Sequence, residues 1–158
     1  MQLSFLFLVI LILIFLQDIK ERKVYIWLLI VAIILNGVLY YQNTIHQLFL
    51  LNISINLILI FLLIFILFLY TKFKMKINLS LALGLGDVLF FFVFAVGFPI
   101  ETFLLLFISS LIFSLILFIL IKSELKNKTV PLAGLQALFL VLILFINLAF
   151  NIVNLYSI

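Results

Sequence analysis

VYIWLLIVAIILNGVLYYQNTIHQLFLLNISINLILIFLLIFILFLYT, residues 24–71, runs for 48 positions without a charged side chain. One helix crosses the hydrocarbon of a bilayer in about 20 residues, so this run is too long for one crossing and suits two. Its division falls at Gln42-Asn43-Thr44, followed by His46 and Gln47. A polar turn of that kind is too costly to leave in lipid. The stretch therefore predicts two membrane helices, 24–41 and 48–70.

The rest of the chain follows outward from this pair. Of 158 residues, 70% are apolar and 9% charged. A soluble domain is closer to half apolar and a quarter charged, so a water-soluble globule is excluded. The charges cluster at 18–23, 72–76, 87, 101 and 122–128 and cut the chain into further apolar runs. These predict helices over 3–17, over 77–98 or from Asp87 to 98, over 103–121 and over 132–152. Pro99 and Pro131 fall at predicted helix ends, where proline is tolerated. The first run lacks a basic leader and a small-residue cleavage site, so it is expected to remain as a span. The predicted fold is all-α: one membrane domain over 1–158, a bundle of six transmembrane helices.

Lysine and arginine set the orientation. Lys20, Arg22 and Lys23 follow helix 1, Lys72, Lys74 and Lys76 follow helix 3, and Lys122, Lys126 and Lys128 follow helix 5. The loops after helices 2 and 4 have none, and neither terminus has any. The positive-inside rule then predicts cytoplasmic basic loops and both termini outside, in a multi-pass protein of the cytoplasmic (inner) membrane. Tyr25, Trp27, Tyr40, Tyr41, Tyr70 and Tyr156 fall near helix ends, as an aromatic belt would. Three short basic clusters form no basic domain, and no nucleic-acid partner is expected. Cysteine is absent and His46 is the one histidine, so no metal site of the usual His and Cys kind is expected.

Five acidic residues remain. Glu21 and Glu124 lie in basic clusters and Glu101 in a predicted outer loop, where each is expected to be a solvated charge. Asp18 ends the first predicted helix, with Arg22 one turn later as a possible ion-pair partner. Asp87 is the one charge between Lys76 and Glu101, at or below the interface, and an intramembrane carboxylate suggests function. It closes the motif Gly84-Leu85-Gly86-Asp87, which also suits a helix N-cap. Gly84 and Gly86 leave a side-chain-free backbone along which another peptide can lie. Helix 1 runs inward to Asp18 and helix 4 outward from Asp87, so both carboxylates belong to the cytoplasmic end. Such a pair can share one water, one Asp as base and its partner as acid, and titrates jointly.

In motif order the chain resembles the prepilin peptidase (type IV leader peptidase) family of intramembrane aspartyl proteases. The resemblance rests on Asp18 with Arg22, Lys23, Val24 and Trp27, then Gly84-Leu85-Gly86-Asp87, then Val130-Pro131-Leu132-Ala133. It implies that Asp18 and Asp87 are catalytic and that the substrate is a type IV prepilin or pseudopilin precursor, cut near the cytoplasmic face. Gly84 and Gly86 would then help to position the substrate. Tyr25-Ile26 stand where members often have Pro-Asn, and Leu89 where they often have lysine. Many bacterial members also carry an extra cytoplasmic region with a cysteine zinc site, linked to methylation of the new N-terminus. The resemblance here is to the short form without it, and no cofactor is implied. Ser110 with Ser114, Ala133 with Ala137 and Asn52 with Asn56 lie four apart and predict helix contacts. Two rivals stay open on the residues alone: a proton-coupled transporter component, since buried carboxylates also relay protons, and a catalytically silent membrane scaffold.

Overall fold

The computed structural model describes residues 2–79, 83–121, 130–150 and 155–156. Among them are six α-helices and no strand: α1 (Gln2–Glu21), α2 (Ile26–Gln42), α3 (His46–Tyr70), α4 (Leu85–Gly97), α5 (Ile100–Ile121) and α6 (Leu132–Phe150). A π-helical segment, Thr71–Met75, prolongs α3. Among the described residues, four helices are long and apolar enough to cross a membrane: Gln2–Glu21, His46–Met75, Ile100–Ile121 and Leu132–Phe150. The other two, α2 with 17 residues and α4 with 13, are apolar but shorter. At 1.5 Å per residue α4 is about 20 Å long, against hydrocarbon about 30 Å thick. The last basic cluster, 122–128, and the expected helix end at Ile152 lie outside the described residues.

Several helix ends depart from expectation. Helix α1 continues to Glu21, so Asp18 lies inside its last turn rather than at its end. Helices α2 and α3 start at Ile26 and His46 in place of 24 and 48. His46 is thus the first residue of α3, its ring edge-on to Tyr41 at 5.7 Å. Helix α4 starts at Leu85, not at 77. Lys76 turns left-handed at φ 55° to end the preceding segment, and Gly84 is extended at ψ 150°. Helix α5 starts at Ile100 because the Pro99 carbonyl accepts the Phe103 N–H at 2.7 Å, which makes Pro99 its N-cap. Glu101 therefore sits in the first turn of α5, at the favourable end of the helix dipole, and not in a loop.

Helix α4 occupies the middle of the bundle, packed against α2, α3, α5 and α6, while α1 packs against α2 and α6. Between apolar helices in lipid there is no hydrophobic drive to associate, so close packing and hydrogen bonds must hold them. Rings supply part of the packing: Phe107 of α5 meets Phe91 and Phe94 of α4 edge-on at 5.1 and 5.7 Å. Small residues supply more. A Cβ on Gly37 of α2 would come within 2.9 Å of the Val96 side chain, and one on Gly97 would overlap Asn36.

Polar side chains point inward. On α3 only Asn52, Asn56 and Ile60 are buried. Asn52 donates to the Tyr40 hydroxyl at 2.7 Å, and Asn36 to the Val93 carbonyl at 2.9 Å. Asn56 donates to the carbonyls of Ala95 and Phe98 at 3.0 and 2.9 Å. The Ala95 carbonyl would ordinarily receive the amide of residue 99, but that residue is proline and has no N–H. Asn56 replaces the missing donor. Asn56→Leu should therefore lower stability by about 1–2 kcal/mol, the cost of a buried carbonyl left unpaired. Unfolding in mixed micelles checks this, and an unchanged midpoint would count against the replacement.

Candidate active site

Asp18 projects from the final turn of α1 and is 7% exposed. The helix closes with the Arg22 N–H on the Asp18 carbonyl at 3.0 Å, and Arg22 adopts φ 56°, a left-handed position usually given to glycine. The chain then turns back, with the Tyr25 N–H on Gln17 Oε1 at 3.2 Å. Val24 in this turn faces the start of α4, where a Cβ on Gly86 would lie 3.9 Å from the Val24 Cβ.

Asp87 sits in the first turn of α4, two residues after Leu85. It is not the N-cap; Gly84 is. Asp87 Oδ2 instead reaches back to accept the Gly84 N–H at 3.3 Å, the return half of a capping box. This fixes the side chain and turns Oδ1 toward α6.

There the two carboxylates meet. Asp87 Oδ1 accepts the Ala133 N–H at 2.9 Å, and Asp18 Oδ2 accepts the Gly134 N–H at 2.7 Å. These are consecutive amides at the start of α6, which no intrahelical acceptor can satisfy. With neighbouring Cα atoms 3.8 Å apart, the two accepting oxygens lie on the order of 9 Å apart at most. A carboxylate offers about four acceptor positions, so each Asp retains sites for a water beyond its amide bonds.

Gly134 makes the approach of Asp18 possible. A Cβ there would stand 2.8 Å from the Asp18 Cβ and 3.0 Å from its Oδ2. Sequence reasoning stopped at Ala133 and missed it. The available signal was a glycine in a helical run, unfavourable by about 1 kcal/mol relative to alanine and so a mark of close approach. Further along α6, buried Gln136 donates to Ser110 Oγ at 3.2 Å. Ser110 and Ser114 return their hydroxyls to carbonyls of their own helix at 2.7 Å. Ser110 thus serves the α5–α6 contact, Ser114 is buried in α5, and Ala133 and Ala137 are buried in α6. Gln136 was likewise not singled out from sequence.

Paired carboxylates carried by two helices and gathered at the start of a third define a helical membrane protein with a dyad near one end. The chain belongs to the type IV leader peptidase family, whose model matches residues 5–119. The match includes Asp18 and Gly84 to Asp87 and ends before α6. No curated protein and no solved structure matches the chain.

The amide contacts make a stability prediction that is independent of activity. Asn caps a helix about as well as Asp, whereas Ala costs about 1 kcal/mol. Asp87→Ala and Asp18→Ala should each destabilise by roughly that amount and the Asn variants by less, as read from unfolding midpoints. Equal losses for Ala and Asn would contradict the capping role.

Proposed function

We propose that the protein is an intramembrane aspartic endopeptidase that removes the basic leader from type IV prepilin or pseudopilin precursors. It acts at the cytoplasmic face of the inner membrane, with Asp18 and Asp87 as the catalytic pair. The observation that carries the reading is the seating of both carboxylates on the adjacent amides of Ala133 and Gly134. Membership of a leader peptidase family supports peptide hydrolysis over proton transport or a scaffold role.

The chemistry needs only water and the dyad. An ionised carboxylate takes a proton from the water as its oxygen adds to the scissile carbonyl, and the protonated partner gives its proton to the carbonyl oxygen. The resulting diol collapses and the C–N bond breaks. The departing amine takes up the proton of the protonated carboxyl, and a diol hydroxyl returns its own to the ionised partner, which leaves the dyad with one proton as at the start. Charge passes between two coupled groups, so the roles belong to the pair rather than to one residue. The backbone of Gly84 and Gly86 offers the substrate peptide a surface free of side chains at the start of α4.

In this reading all six helices of the single domain cross the membrane, with both termini outside. The 13-residue α4 is too short to reach both interfaces unaided. If its Pro99 end lies at the outer interface, Asp87 starts within the hydrocarbon, about 10 Å short of the inner one. The leader junction of a substrate helix would then be cut just inside the cytoplasmic boundary.

Incubation of the purified protein with a prepilin-type precursor should give one cut, located by mapping the new N-terminus. Asp18→Asn and Asp87→Asn should each reduce the rate by about 10³-fold or more while inserting normally. Normal processing by either variant would exclude the dyad. The native chain has no cysteine, so single-cysteine labelling reports topology directly. Thr44→Cys should react from outside and Lys74→Cys from the cytoplasm; the reverse, or labelling from one side, would overturn the orientation.

A further inference from the structure

Helix α6 begins without a capping side chain of its own. Pro131 holds the N-cap position, its carbonyl accepting the Leu135 N–H at 3.0 Å, and its ring offers no acceptor. A serine or aspartate there would take the amides two and three residues on. Those amides belong to Ala133 and Gly134, and their acceptors come from other helices, Asp87 of α4 and Asp18 of α1. Helices α1 and α4 share little direct packing, whereas α6 packs against both.

We infer that the first turn of α6 is the positioning element of the dyad, and that Gly134 is a positioning residue through which it acts. The inference rests on the peptidase reading. Two acids that share one proton carry a negative charge in a place of low dielectric, and neither parent helix fixes the distance between them. Consecutive amides of a rigid turn do fix it, and the positive end of the helix dipole favours the negative charge the pair carries. Positioning of this kind affects the chemical step more than substrate capture, because the amides hold the carboxylates and not the peptide. Gly134 is needed because any side chain at that position displaces Asp18.

Two variants alter different atoms of the turn. Gly134→Ala puts a methyl group against Asp18 and leaves its N–H. Ala133→Pro removes the N–H that reaches Asp87, in the first turn where a helix tolerates proline. With a prepilin-type precursor in proteoliposomes, each should lower kcat by about tenfold or more, with KM within about twofold of wild type. Unfolding midpoints identify a variant that fails to fold, and the other then decides. Wild-type or increased kcat in the folded variants, or a loss confined to KM, would overturn the inference while leaving the peptidase reading intact. No cleavage by the wild-type protein would instead overturn the peptidase reading itself.

Discussion

An amide at the start of a helix has no partner within that helix, and inside a membrane it has no water either. At α6 two such amides are paired with Asp87 and Asp18, and much of the bundle follows from that pairing. It requires α1 to end, α4 to begin and α6 to begin at one depth. It also gives each acid a partner on a third helix, for Asp87 in addition to the Gly84 N–H. One set of contacts thus satisfies both the backbone and the side chains, which is why two buried acids can persist in a chain so poor in charges.

The opposite end of α4 shows the same constraint with the polarity reversed. There the unpaired groups are carbonyls, made worse by Pro99, and Asn56 supplies the side-chain amide to two of them, while Asn36 adds a second donor at the Val93 carbonyl. A 13-residue helix surrounded by four others is therefore held at its N-terminal end by Asp87, which reaches both its own Gly84 and α6, and at its C-terminal end by asparagines. The position of α4 within the bundle is thereby set by hydrogen bonds rather than by length. The seat of Asp87 beside α6 follows from it.

Sequence alone carried the helical class, because charge spacing and span length are local properties. Asp87 was visible for a related reason: an acid in an apolar run stands out against its neighbours, whereas Asp18, at the head of a charge cluster, was singled out only by its place at the same predicted end as Asp87. Helix ends were less legible. Hydropathy does not separate residue 77 from residue 85, and the start of α4 depends on the backbone angles of Lys76 and Gly84. Nor could helix faces be inferred from hydrophobic periodicity, since leucine, isoleucine and phenylalanine surround each helix. The buried faces were marked instead by polar residues. Asn52, Asn56, Ser110 and Ser114 were recognised in this way, whereas Asn36 and Gln136 needed the fold to reveal them.

The donors of the dyad were the hardest part to foresee, and the reason is physical. A backbone N–H belongs to every residue but proline, so Ala133 leaves almost no trace of its contact with Asp87 in the identity of its side chain. The family match stops at residue 119 and does not reach that turn either. What remains is steric. Asp18 approaches so closely that position 134 cannot carry a Cβ without displacement, and the contact is written into the sequence as one glycine. Where an active-site element works through main-chain atoms, its signature is therefore the side chain that had to be absent, and such a signature becomes readable only once the group that occupies the vacated space is known.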